Sequence, residues 1–238
     1  MQISLVLFAA VLPVIVLLYY IYHKDKAQPE PTNMLLKGFG LGMLSVFASL
    51  LLSLPLGAMG VYGFDEVSAW DEAIRISFFG AAIPEELAKL FMLWLLLRKN
   101  PYFDEHVDGI VYAVAVSMGF AALENVGYLF SNYESWWTVG TVRALISVPA
   151  HYAFAVFMGY YYSMFHFAQS DNAYYGIMAI VIPVLFHGLF DSLLFMLPLN
   201  ENYAVILLTA FSVFCYNMHK LAASRIKDHL ETDRRRNL

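Results

Sequence analysis

Gly80-Ala81-Ala82-Ile83-Pro84-Glu85-Glu86-Leu87-Ala88-Lys89 sets two adjacent carboxylates and a lysine inside an apolar run that extends from about Ala73 to Leu97. A run of that length can cross a hydrocarbon core, which takes ~20 residues of helix. Each charged side chain at a bilayer centre costs roughly 2.5–3.5 kcal/mol even on the lenient insertion scale, so a chain that keeps Glu85, Glu86 and Lys89 there has a use for them. The reading of this stretch decides the rest: a polytopic all-α membrane protein with a polar site inside it.

Outward from that stretch, the composition agrees. Hydrophobic residues make up 60% and charged residues 14% of the 238 positions, and the mean hydropathy is +0.60, beyond a soluble globular average. The net charge of −5 says little about partners, because orientation depends on which loops hold the basic residues; the bilayer is the expected partner and nucleic acid is not. Cys215, the single cysteine, excludes an intrachain disulfide and reads as a small core or lipid-facing residue.

Seven spans are expected: Ile3–Tyr22, Leu35–Leu56, Ala73–Leu97, Val107–Phe130, Val139–Phe165, Tyr174–Leu197 and Tyr203–Leu221. The first lacks the basic start and cleavage site of a signal peptide and reads as a retained helix. In the second, Gly38, Gly40, Gly42, Ser45, Ala48 and Ser49 offer a small-residue packing face. Lys24, Lys26 and Lys37 flank the first loop, Arg98 and Lys99 the third, and Lys220, Arg225, Lys227 and Arg234-Arg235-Arg236 fill the tail. The loops Gly57–Asp71 (with Asp65, Glu66 and Asp71), Ser131–Thr138 and Pro198–Asn202 hold no Lys or Arg. The positive-inside rule then puts the amino terminus outside and the carboxy terminus in the cytoplasm of a cell membrane, by this reading a bacterial inner membrane. The whole chain, 1–238, reads as one integral-membrane domain with its motif-bearing core at about 73–197.

Other apolar segments carry similar intrusions: Glu124-Asn125, His151, and His187 with Asp191. At ~1.5 Å per residue, Glu85 and His151 lie ~18 Å below the outer ends of their spans, His187 ~15 Å and Glu124 ~9 Å, so helices of alternating direction can bring them to one depth. Pro84 precedes Glu85, Pro149 lies just before His151, and Pro183 lies one turn before His187. A helix-interior proline frees a carbonyl one turn back, here of Gly80, Leu145 and Ala179, and such breaks suit helices bent around a wet cavity. Proline is also simply common in membrane helices.

Each group has a bland reading. Glu85 and Glu86 can form a structural pair with Lys89, on the same helix at i+4 and i+3. Adjacent residues point ~100° apart, so one carboxylate is expected to face the cavity as a base while the other holds Lys89 or the backbone. Glu124-Asn125 can be a helix-bonding pair, and His151 an interhelical one. His187 and Asp191 share a face, where an acid can orient an imidazole. Arg143 is expected to snorkel or to meet a substrate carbonyl. Asp25, Asp104, Asp108, His23, His106, His166, His219 and His229 are expected to be solvated.

Glu85-Glu86-Leu87-Ala88-Lys89, Phe120-x-x-x-Glu124-Asn125, Pro149-x-His151 and His187-Gly-Leu-Phe-Asp191 together resemble the motif set of the PrsW family of intramembrane proteases, which is related to the wider group of CAAX-prenyl endopeptidases and bacteriocin-processing proteins (CPBP, Abi). The likeness spans roughly Ala73 to Leu197. It implies cleavage of a membrane-anchored protein, typified by an anti-sigma factor. It also implies catalytic roles for Glu85, Glu86 and His151, with Glu124, His187 and Asp191 completing the site and Lys89 and Asn125 supporting it. Two departures from the wider group favour the PrsW branch: Lys89 falls one position before that group's arginine, and Glu124 stands where it has histidine.

The expected mechanism is a water activated by Glu85 or Glu86, with His151 or His187 serving the oxyanion or the leaving amine and Asp191 orienting His187. No cofactor is expected. Zinc held by Glu85, Glu124, His151 and His187 is the alternative, disfavoured because no His-Glu-x-x-His pairing exists. Buried acids and broken helices also describe a proton or cation transporter, against which the lack of a detectable inverted repeat argues mildly. A non-catalytic scaffold predicts instead that Glu85→Gln leaves function intact.

Overall fold

A computed structural model describes residues 2–24, 28–63, 67–168 and 172–236. Lys26 and Asp25 of the first loop, and Asp65 and Glu66 of the second, lie outside the described residues. The described chain is all-α: α1 (Gln2–Lys24), α2 (Thr32–Ala58), α3 (Trp70–Arg75), α4 (Ile83–Leu97), α5 (His106–Ser131), α6 (Trp136–Val142), α7 (Val148–Phe167), α8 (Asn172–Met196) and α9 (Ala204–Arg236). Two π-helical segments, Ile76–Ala82 and Arg143–Ser147, join α3 to α4 and α6 to α7. Among the described residues six helices are long and apolar enough to cross a membrane: Ile3–Lys24, Thr32–Ala58, His106–Ser131, Tyr133–Phe167, Ala173–Leu199 and Glu201–Arg236. The stretch around Glu85 is helical throughout 70–97 but is not among the six, because Arg75, Glu85, Glu86 and Lys89 interrupt its apolar character.

The π segments explain what the prolines do. Each ends immediately before a helix with proline in its first turn, Pro84 in α4 and Pro149 in α7. Proline donates no N–H and its ring crowds the carbonyl one turn back; a widened turn with i→i+5 bonding accommodates both faults, and such turns recur at functional sites. Pro183, by contrast, sits inside an uninterrupted α8.

α5 is the hub. Every residue from Val107 to Ala122 is buried, so its sequence shows no polar face. It packs against α7, α2 and α1, with α4 and α9 completing the ring, while α8 lies against α7 and the first π segment. The closest crossings use glycine. A Cβ on Gly42 would sit 1.8 Å from the Val116 carbonyl oxygen, and one on Gly119 would sit 2.0 Å from that of Phe39. In the expected small face Gly38, Gly42, Ser45 and Ser49 are buried, whereas a side chain on Gly40 would meet open space. The outer surfaces of α1 and α2 carry Phe8, Ile15, Leu44, Phe47 and Leu51, all exposed, as suits helices that meet hydrocarbon.

The last helix corrects the expected tail. α9 runs to Arg236 rather than ending near Leu221, and its far end docks on the start of α5. The Asp233 carboxylate accepts the backbone N–H groups of His106 and Val107, both at 2.9 Å, and lies 2.8 Å from His106 Nδ1. His229 is buried against Tyr160, its Nε2 3.1 Å from that residue's carbonyl oxygen. Asp108, also buried, accepts from the N–H groups of Glu105 and Asp104. His106, Asp108 and His229 are therefore not solvated as expected: Asp108 and Asp233 accept the N–H groups around the start of α5, the His106 ring pairs with Asp233, and His229 meets the Tyr160 carbonyl.

Candidate active site

The polar groups of α4, α5, α7 and α8 meet. Glu85 and Glu86 open α4, just past the first π segment, and Lys89 follows one turn on. Lys89 Nζ donates to Glu86 Oε1 at 2.8 Å, to Glu85 Oε2 at 3.2 Å and to His151 Nδ1 at 3.3 Å. An ammonium has three hydrogens and accepts none, so all three are used. Nδ1 of His151 must then be an acceptor, which leaves Nε2 to carry the hydrogen given to Glu124 Oε2 at 3.1 Å. The Phe120 ring closes the fourth side, its centroid 4.0 Å from Nζ.

His187 joins the two carboxylates from α8. Its Nδ1 lies 2.8 Å from Glu86 Oε1; its Nε2 lies 3.2 Å from Asp191 Oδ2 and 3.9 Å from Glu85 Oε2. Phe154 of α7 stacks on the ring at 4.7 Å. The adjacent acids, although both bonded to Lys89, differ in their surroundings. Glu86 and Lys89 are each 1% exposed at the side chain, while Glu85 lines a cavity of about 80 Å³ with Glu124, His151, His187 and Asp191. Glu86 Oε2 is buried and makes no hydrogen bond.

At this site the expectation that fails is that Arg143 snorkels. Arg143, expected to snorkel or meet substrate, is buried and fixed: its Nε donates to Asn125 Oδ1 at 2.6 Å and its Nη2 to Glu124 Oε2, with Tyr128 stacked beneath the guanidinium at 4.0 Å. Arg143, Ser147 and His151 all line the cavity, and their four-residue spacing, the repeat of one helix face, was the available signal. Asn125 also donates to the Ala10 carbonyl at 3.1 Å, tying α1 to the site. Ser117 donates to the His151 carbonyl at 3.0 Å, tying α5 to α7.

For a metal, the compact donor set is Glu85, Glu86, His151 and His187, whose ligand atoms lie within 4.8 Å of one another. Glu86 takes the place expected for Glu124, which is bound up with Arg143. Two imidazoles and two carboxylates suit zinc chemically. The charge does not: Lys89 Nζ rests on three of the four residues, and a dication beside an ammonium in low dielectric is strongly repelled. As folded, the residues do not fit a bound metal.

A family model described as PrsW family intramembrane metalloprotease matches residues 30–216. Protease PrsW of Clostridioides difficile is 37% identical over 218 residues, covering 89% of this chain and 88% of that protein. Protease PrsW of Geobacillus kaustophilus is 36% identical over 186 residues, 78% of each chain, and that of Bacillus subtilis 35% over 187 residues, 78% of this chain and 81% of that one. No solved structure matches the chain.

Proposed function

Because the chain belongs to the PrsW family of intramembrane proteases, and is thus a peptidase of the cell membrane, we propose that it hydrolyses a peptide bond of a membrane-anchored protein with a water activated by Glu85. The observation that carries this choice is the pairing of roles: Glu85 faces the cavity, and Glu86 is held by Lys89 and His187. Glu85 takes a proton from the water as its oxygen attacks the carbonyl carbon. The Nε2–H of His187, which faces Asp191 and Glu85 at the cavity, turns to the oxyanion and stabilises it, while the one N–H of His151 stays on Glu124. The proton on Glu85 then passes to the amide nitrogen as the C–N bond breaks. No step passes through a metal, since the Lys89 ammonium already engages three of the four donors.

The substrate must unwind locally, because a helix keeps its carbonyls bonded internally. An anti-sigma-factor-like single-pass protein is the substrate class that the family likeness suggests. The same proposal holds that Ala73–Leu97 is a seventh span, that the amino terminus faces out, that the chain is one membrane domain with its core at about 73–197, and that Lys89 is this branch's counterpart of the arginine in the CAAX-prenyl endopeptidase group. Relatives named as proteases favour hydrolysis over the transporter reading.

The test is co-expression of tagged single-pass candidates with wild type and with Glu85→Gln. Wild type should yield shortened fragments and the variant none while remaining folded in detergent. Normal cleavage by Glu85→Gln would remove the mechanism.

A further inference from the structure

Lys89 is buried to 1% exposure, and its three hydrogens point at Glu85, Glu86 and His151. Those residues, with His187, are the only group of donor atoms among the described residues that is close enough to hold a metal ion. The overlap is not incidental to packing, since a lysine placed merely to neutralise one acid needs a single carboxylate. We propose that Lys89 is the resident cation of this site: its ammonium fills the place a divalent metal would take, and removing it turns the same four side chains into a divalent-metal site.

The geometry supports both halves. Zinc bonds of ~2.0–2.2 Å in a tetrahedron put ligand atoms ~3.4 Å apart, so atoms now within 4.8 Å must close around a smaller ion, and with Nζ between them they cannot. Without Nζ, Glu85 and Glu86 become adjacent buried acids lacking their cation, an arrangement that is strongly unfavourable until another cation arrives. Glu86 Oε2, buried and without a hydrogen bond, and His151 Nδ1, freed of its donor, are then open lone pairs on the new site. A methionine in place of Lys89 keeps most of the side-chain volume and the contact with Phe120, and adds no charge.

The experiment reads metal rather than cleavage, so its outcome is independent of whether Glu85 is the base. Full-length wild type, Lys89→Met and the double variant Lys89→Met/Glu85→Gln are purified in detergent, stripped with chelator and equilibrated with Zn²⁺. Bound zinc is measured by elemental analysis and by competition with a chromogenic chelator. Wild type should hold no stoichiometric zinc. Lys89→Met should hold one ion per chain, at least ~10-fold more tightly than wild type, and the double variant should lose that gain. Zinc should also raise the melting temperature of Lys89→Met but not of wild type, because a ligand stabilises only the state that binds it. If Lys89→Met does not fold without metal, recovery of a folded, monodisperse protein on adding Zn²⁺ supports the proposal, and failure to recover overturns it. One equivalent of zinc on wild type that Glu85→Gln removes would overturn it, and so would a folded Lys89→Met that binds no better than wild type.

Discussion

The Arg143 guanidinium and the Asn125 amide are joined at 2.6 Å, across the contact between the second π segment and α5. The same guanidinium reaches Glu124 at 2.5 Å, so one planar fork sets the position of the acid that His151 faces.

Lysine cannot reproduce that fork. Arg143→Lys should keep its fold and lower the cleavage rate, on the order of 10²-fold for a displacement of about 1 Å. Fragment yield against time, with the melting temperature as a control for folding, checks this; a lysine variant as fast as wild type would show that the fork has no role.

Glu86 and Glu85 should separate in stability. Glu86 binds both Lys89 and His187 and is 1% exposed, so Glu86→Gln breaks a buried pair and should cost about 3–5 kcal/mol. Glu85→Gln leaves Lys89 bonded to Glu86 beside a cavity and should cost clearly less. Unfolding in mixed micelles gives the order, and a Glu85 variant less stable than the Glu86 variant would contradict the division drawn between them.

Glu30 gives a pH dependence outside the membrane. It lies buried in the loop before α2, accepting from the Tyr112 hydroxyl. Burial, reinforced by the nearby Asp104 and Glu105, holds its carboxyl above the usual carboxylate range. A raised folded value means that protonated Glu30 contributes stability, fully present below the unfolded pKa and lost as pH rises through the folded one. Wild type should therefore lose melting temperature relative to Glu30→Gln as pH is raised from about 4 towards neutrality. Parallel melting curves for the two proteins would refute this.

Gly119 and Gly40 make a matched test of close packing. A Cβ on Gly119 meets the Phe39 carbonyl at 2.0 Å, and one on Gly40 meets nothing within 4 Å. Gly119→Ala should cost about 1–3 kcal/mol, and Gly40→Ala should be neutral or slightly stabilising through helix propensity. Thermal melting in detergent distinguishes them, and equal effects would remove the close crossing of α2 and α5.

What could be read from sequence was what is expensive in lipid. Glu85, Glu86, Glu124, His151, His187 and Asp191 stand out because apolar neighbours make each of them costly, and all of them meet. Pro84 and Pro149 likewise marked real irregularities, although their form, two π segments, has no signature in residue type. Arg143 was read in part as snorkelling because a cation near a span's end normally reaches for water, and only its neighbours show that it turns inward. Asp108 and Asp233 were missed for a related reason: near a span's end a charged group costs little, so nothing in the sequence separates a solvated one from one that caps a helix.

Asp233 and Val107 are 126 positions apart in the chain, and that separation is also a delay. At ~5–20 residues per second a ribosome needs ~6–25 s to make the stretch between them. Throughout that time the leading turn of the helix at the molecule's centre has two N–H groups without their final acceptor. A chain interrupted before Asp233 would therefore carry every one of the clustered acids and imidazoles while its hub was still open at one end.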